Sequence, residues 1–305
     1  MRTRITGVAC AFFMAEALAS GQLVSESANA AAPVPDLSGF WARTTFGLEQ
    51  PESGPGPIQP LNRRRPDGSR IDNFQFNVGD ESSPILKPAA VLAVRKRNEM
   101  QRAGTDYPSP SNQCTTMVAP YAFRVQGLQV LQTNDQVVFL YMQDHQVRHV
   151  RLNAQHPVKL TRTLSGDSVG HFEGDTLVVD TVGFKAGRIA QLDQYGAPYG
   201  EDLHVVERYR LVDYEVARAA QERIVQANGG VTTEQAAAVD PNYRGKGLQV
   251  QFTVDDKTYF TTAWGGAATY RKAGSSWVEN VCAENTHEYY RNTTTKVPEA
   301  ERPDF

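Results

Sequence analysis

Polar side chains that could carry acid–base chemistry interrupt segments of the chain that otherwise have the pattern of β-strands. Two candidates lie in 167–180 and two in 203–212, and the fifth lies in a short polar break between earlier strand-like runs. Imidazole and carboxylate groups are common general acids and bases. The candidate catalytic residues are His145, His171, Asp180, His204 and Glu207.

Asp180 stands out because of its neighbours. Period-two alternation places Leu177 and Val179 on one face of the strand and Asp180 on the other, beside Val178. A carboxylate among apolar side chains costs free energy unless the face is wet or paired. If this face lines a ligand cavity, the pKa of Asp180 should rise toward a useful acid–base range; on a solvent-facing wall it would do nothing.

Glu207 lies on the mostly apolar face of its strand, among residues that we expect in the core. It is therefore either paired or functional. Arg148, Arg151 and His149 are plausible cross-strand partners, and a buried pair of this kind is more often structural than catalytic.

No motif predicts a metal or a cofactor. The sequence has no Gly-rich phosphate loop, no dinucleotide-binding fingerprint and no nucleophile-elbow serine. His145 and His149 would point to the same side of a strand, but about 13 Å apart at roughly 3.3 Å per residue, too far to share an ion. We therefore expect chemistry that needs neither.

The N-terminus has the pattern of a secretory signal peptide at 1–30. Arg2 and Arg4 precede an apolar run at 5–15, and small-residue patterns follow at 17–19 and 28–30. An ordinary amphipathic helix is the alternative. Export predicts a periplasmic or secreted protein.

Cysteine usage fits that compartment. Cys10 would leave with the signal peptide, so Cys114 and Cys282 would remain. Two thiols in an oxidising space favour a disulfide, with free or reactive thiols as the alternative.

The elements that must position the candidates are predicted to be mainly β-strands. Short β-branched and aromatic runs separated by turn residues fill 113–292, which predicts an antiparallel barrel (lipocalin-like) or a sandwich. We expect 31–112 to form a Pro/Gly-rich arm with one helix, and 293–305 a C-terminal tail. A short helical insertion near 215–240 would be a lid over one mouth of the barrel or, slightly favoured, a plain surface excursion.

Composition excludes several partners. The net charge of −3 provides no basic footprint for nucleic acid. No apolar run approaches the roughly 18 residues that a membrane span requires. The sequence does not indicate the oligomeric state.

Three motifs carry a resemblance to a known group: SGFW within 36–41, FEGDTLVVDTVGF within 166–184, and LHVVERY at 203–209. The chain resembles a large group of exported bacterial β-rich proteins, abundant in proteobacteria, which share SGxW, (W/F)EGDTLVVDTxGF and LHVVERY motifs. That group carries Trp where this chain has Phe172, and 217–247 looks like an insertion relative to its usual member. The resemblance implies export and a β-rich fold, but no particular activity or catalytic residue.

Three functions are compatible with these observations. The first is an exported enzyme that acts on a small, largely apolar organic molecule by cofactor-independent acid–base chemistry, as an isomerase, hydratase/lyase or cyclase would. The second is a lipocalin-like binding or carrier protein without catalysis, since a small barrel can hold one ligand. The third is a surface interaction protein that makes contact through the arm at 31–83.

Overall fold

The protein folds around a closed barrel of nine strands in the computed structural model. The structure describes residues 34–61, 78–105, 107–124, 127–143, 146–187, 189–228, 232, 239–274 and 281–282. The strands are β1 (Gly39–Ala42), β2 (Gly127–Gln132), β3 (Gln136–Tyr141), β4 (Val147–Leu152), β5 (Asp167–Glu173), β6 (Thr176–Val182), β7 (His204–Val212), β8 (Gly247–Asp255) and β9 (Trp264–Lys272). Two α-helices, α1 (Pro88–Arg102) and α2 (Tyr214–Ala227), and a 3₁₀ helix at Tyr121–Arg124 accompany them. The predicted mainly β barrel with a short helical insertion is confirmed.

Each strand pairs with its neighbour in sequence, and β1 closes the barrel against β9. Every pair is antiparallel except β4 and β5, which run parallel, with Val150 opposite Ser168. The prediction of an entirely antiparallel barrel is wrong at this pair. Parallel neighbours require a crossover of about a dozen residues or more, and the connection 153–166 is long enough to return the chain to the starting end of β4.

The lumen of the barrel is a packed core. Four ring contacts cross it: Phe139 stacks on Tyr209 at 4.7 Å, Phe123 contacts Tyr209 at 6.4 Å and Phe252 at 5.7 Å, and Phe252 contacts Trp264 at 6.0 Å. The rings come from β3, β7, the 3₁₀ helix, β8 and β9, and all five are buried. Side chains therefore fill the lumen, where the sequence allowed a bound ligand. The interiors of many small barrels are filled in the same way.

The segment 31–112 is more than an arm. It contributes β1, whose Trp41 is buried and pairs in register with Leu128 of β2. It also contributes the predicted helix, observed as α1. The boundary expected at 113 therefore does not separate the barrel from what precedes it. The predicted signal peptide at 1–30 and tail at 293–305 lie outside the described residues.

A disulfide joins Cys114 and Cys282, whose Cα atoms lie 5.4 Å apart, as predicted. The bridge closes a loop of 168 residues, and closing such a long loop stabilises the folded state by about 5 kcal/mol in the chain-entropy account.

Among the described residues, no helix combines the length and the hydrophobicity needed to cross a bilayer.

Candidate functional site

Glu207 lies in the lumen, where it is fully buried. Its Oε1 accepts a hydrogen bond from Arg148 at 2.6 Å, and its Oε2 accepts one from the Tyr209 hydroxyl at 2.6 Å. Arg148 also donates to the hydroxyls of Tyr141, Ser168 and Thr181. Both carboxylate oxygens are thus engaged, and the partner is one of those that the sequence suggested.

The buried pair alters the acidity of the groups around it. Burial alone would lower the pKa of Arg148, but the charge of Glu207 and the neighbouring hydroxyls raise it above its usual value. Burial raises the pKa of Tyr141 to about 12. Both shifts move these two groups further from titration at neutral pH, and the carboxylate oxygens of Glu207 are both engaged in hydrogen bonds, so this cluster has the character of a structural core rather than of an acid–base site.

Asp180 and His204 are brought together on the outer wall of the same two strands. Nε2 of His204 lies 2.8 Å from Oδ2 of Asp180, and Nε2 of His156 lies 2.9 Å from Oδ1. Nδ1 of His156 reaches Asp167 at 2.6 Å, and Asp167 accepts two hydrogen bonds from Arg151. We call these five residues the outer ionic chain: Arg151, His156, Asp167, Asp180 and His204.

The electrostatics of the outer ionic chain decide between the two alternatives for Asp180. The hydrogen bond from His204, together with that from His156, holds the pKa of Asp180 below its usual value. The side chain is 39 % exposed and paired, so the condition for a raised pKa, a face that lines a ligand cavity, is not met. The hydrogen bond to Asp180 raises the pKa of His204, and Asp255 adds to that effect.

His156 was not among the candidates from the sequence. It lies in the connection 153–166, and each of its ring nitrogens faces a carboxylate oxygen. His156 therefore links this connection to the outer face of β5 and β6 through its contacts with Asp167 and Asp180.

The other described candidates, His171 and Glu207, do not join the outer ionic chain. His171 is exposed and lies 3.1 Å from Glu173, which also accepts a hydrogen bond from Arg208. His145 lies outside the described residues. Glu207 projects to the opposite side of the barrel wall from Asp180, whose register partner is Val206. Among the candidates that the structure describes, it thus brings only Asp180 and His204 together.

A cleft that the sequence did not reveal lies where four segments meet, and its volume is about 40 Å³. We call it the arm–helix cleft. Its walls come from the arm, the 3₁₀ helix, a loop before β7 and the C-terminal end of α2. The lining residues are Gly47, Leu48, Pro57, Ile58, Gln59, Pro60, Tyr121, Arg124, Asp193, Gln194, Tyr195, Ile224, Ala227 and Asn228.

The insertion helix α2 positions one wall of the cleft. It packs against β8 and β9, and its Gln221 donates hydrogen bonds to the carbonyls of Ala42 in β1 and Thr269 in β9. Asn228, just after α2, donates to the carbonyl of Phe46 at 2.6 Å. Gly47 is the next residue after Phe46, and it lies beside Ile224 with a φ of +106°. A positive φ of this kind favours glycine. The insertion therefore forms a wall with the arm, which a plain surface excursion would not do.

Arg124 is the cationic group of the arm–helix cleft. Its guanidinium lies 5.0 Å from the ring centres of both Phe46 and Tyr121. Nη1 donates to Gln194 at 2.8 Å, and the buried Nε has no hydrogen-bond partner in the part of the chain that the structure describes. The residue is only 9 % exposed, so its charge is held at a fixed place in the wall.

Asp193 is the acidic group, and it is 5 % exposed. Its Oδ1 accepts hydrogen bonds from the backbone N–H groups of Tyr195 and Ala197 at 2.8 and 3.0 Å. Its Oδ2 is buried and unpartnered within the described ranges. Burial raises the pKa of Asp193, although these backbone bonds and the nearby Arg97 and Arg124 act against the rise.

Comparison of the chain with protein-family models, with curated proteins and with solved structures finds no match.

In the described ranges, no group of three or more His, Cys, Asp or Glu side chains is placed to hold a metal ion.

Proposed function

We propose that the protein binds a small organic molecule in the arm–helix cleft. This is the carrier alternative from the sequence, with the binding site moved from the lumen to the meeting point of the arm and α2. One observation carries the proposal: Nε of Arg124 and Oδ2 of Asp193, two buried polar atoms that have no hydrogen-bond partner among the described residues, belong to residues that line the same cleft.

Leaving such atoms unpaired is costly. A buried donor or acceptor without a partner costs about 1–3 kcal/mol, and more when it is charged. The cleft has about three times the space that one water needs. Its walls also include the apolar side chains of Leu48, Ile58 and Ile224, with which water forms no hydrogen bonds. A ligand with a polar end and a hydrocarbon part suits both kinds of wall.

We place this activity in the periplasm or outside the cell. The Cys114–Cys282 disulfide supports an oxidising compartment. The signal-like N-terminus and the resemblance to exported bacterial proteins point the same way.

Filling the cleft tests the proposal. Ala227 lines the cleft at the end of α2, whereas Ala219 lies on the same helix away from it. We expect the wild-type protein and Ala219→Phe, purified from the native host, to retain the same small molecule in mass spectra. Ala227→Phe should lose it. An Ala227→Phe protein that is folded and still retains the same compound would contradict the proposal.

A second candidate, the cofactor-independent acid–base enzyme, is favoured by one specific observation. His204 is 42 % exposed and its pKa is raised by a paired carboxylate, Asp180, an arrangement that can serve a general base. The enzyme candidate ranks second because His204 lies on the outer wall of the barrel, whereas catalysis gains from excluding water.

Hydrogen–deuterium exchange tests this candidate without a known substrate. A panel of simple ketones and esters in D₂O would report abstraction of a carbon-bound proton by NMR. The wild-type protein should accelerate the exchange, and His204→Gln should not. His171→Gln is the matched control, because His171 is also an exposed, carboxylate-paired histidine. Equal exchange by wild type and His204→Gln would end this candidacy.

A further inference from the structure

The arm–helix cleft contains a cation with unused hydrogen-bonding capacity. The guanidinium of Arg124 makes a single hydrogen bond, to Gln194, and takes part in no ion pair among the described residues. A guanidinium has more N–H donors than this, arranged as a planar fork. The rings of Phe46 and Tyr121 lie near it and help to fix it in place. The donors at its edge therefore remain available.

The acidic neighbour, Asp193, makes no hydrogen bond to Arg124 within the described ranges. Asp193 directs Oδ1 to two backbone N–H groups, and burial favours its neutral form. A neutral carboxyl group at this place would offer an O–H donor from the unpartnered Oδ2. Together, Arg124 and Asp193 would present donors to a ligand rather than a balanced pair of charges.

We propose that the ligand is a small carboxylic acid whose carboxylate binds Arg124 and whose hydrocarbon part lies against Leu48, Ile58 and Ile224. This inference rests on the proposed function. A guanidinium fork matches a carboxylate in two parallel hydrogen bonds. A protonated Asp193 can donate its O–H to a carboxylate oxygen, whereas an ionised Asp193 would repel any anion. The apolar wall excludes ligands that are polar throughout.

Calorimetric titration with matched probes tests the inference. The acids are acetate and propionate, and the neutral counterparts are acetamide and propionamide, because a cleft of about 40 Å³ holds only a few non-hydrogen atoms. We expect both acids to bind the wild-type protein and both amides to bind at least tenfold more weakly. Arg124→Gln should weaken binding of the acids by roughly tenfold or more, because a charge-assisted contact is lost.

Two further variants protect this test against misfolding and misassignment. Arg244→Gln is the matched control, since Arg244 is an exposed arginine 5.1 Å from the ring of Tyr214. Asp193→Asn should retain binding of the acids, because the amide still offers a donor. A site that takes a cation would instead lose its affinity in Asp193→Asn. Thermal unfolding of each variant confirms that it is folded.

The outcomes separate the inference from the function beneath it. If the amides bind as tightly as the acids, or if folded Arg124→Gln keeps its affinity, the carboxylic-acid assignment is overturned while a binding cleft stands. If no probe binds, the assignment is likewise overturned. The function fails only if, in addition, folded Ala227→Phe retains the same compound as the wild-type protein.

Discussion

Strands β6 and β7 carry an ionic group on each face of the barrel wall, and the two groups are built differently. Inside, Glu207 and Arg148 are almost fully buried and joined at 2.6 Å. Outside, Asp180 and His204 are joined at 2.8 Å with about two fifths of each side chain exposed. The two carboxylates are close in register, since Glu207 lies opposite Val179 and Asp180 lies opposite Val206.

The comparison teaches that the same sequence signal, a carboxylate in an apolar strand, has two physical meanings. A buried charge loses its hydration, so the inner pair is tolerable only when every lone pair and N–H is engaged. An exposed charge keeps much of its hydration, so the outer pair contributes little to stability. The inner group should therefore govern folding, whereas the outer group remains free to titrate.

Removing one inner partner should have the largest effect. Glu207→Leu leaves the guanidinium of Arg148 buried without its counter-charge and removes the acceptor of the Tyr209 hydroxyl. We expect the free energy of unfolding to fall by about 3–5 kcal/mol, as measured by urea denaturation. Glu173→Gln, at an exposed carboxylate paired with Arg208, is the control and should change little. A loss as small as that of the control would show that the inner pair is not structural.

Removing both inner partners should restore much of that loss. In Arg148→Met/Glu207→Leu no charge is left in the lumen, and apolar side chains of similar volume often replace a buried pair with little cost. The hydroxyls of Tyr141, Ser168 and Thr181 lose a shared donor, so we expect recovery of roughly half the loss or more. Strictly additive single-variant effects, measured in a double-mutant cycle, would contradict this account.

Much of the barrel was predictable because its strands obey local rules. Alternation correctly separated Leu177 and Val179 from Asp180, although the pattern left open which face was inside; the structure buries Leu177 and Val179 and puts Asp180 on the outer wall. The start of the last strand, β9, was harder to predict. It begins at Trp264, and the next two residues, Gly265 and Gly266, are typical of a turn. In the structure these glycines permit close approach, since a Cβ at Gly266 would lie 2.9 Å from the carbonyl oxygen of Glu49. Such a contact depends on distant segments, which local patterns do not encode.

The candidate sites were less predictable for the same reason. Glu207 could be recognised as needing a partner because its own strand shows that it faces the core. The arm–helix cleft gathers residues from four segments between Gly47 and Asn228. No spacing within one segment indicates that Arg124 and Asp193 line one wall. His156 was overlooked because it belongs to a connection, whose path the alternation of neighbouring strands cannot predict.

The outer ionic chain should show its effect through pH, and this effect should be the smallest. The pKa of His204 is raised above its usual 6.5, so its contribution is present below that value and is lost as pH rises through the folded-state pKa. The pKa of Asp180 is lowered from 3.8, so its contribution is present above that value and is lost as pH falls through the folded-state pKa.

The stabilising window therefore lies between about pH 4 and somewhat above pH 6.5. The charged groups around His204 are Asp180 and Asp255, and His156 shares Asp180 with it. Because both members of the pair are well exposed, we expect His204→Gln to lower the free energy of unfolding by at most about 1 kcal/mol at about pH 5.5. At about pH 8.5 the difference from wild type should shrink, because a larger fraction of the wild-type imidazole is deprotonated there than at about pH 5.5. Urea denaturation at both pH values measures this, and a difference that is constant across pH would mean that His204 acts through packing rather than charge.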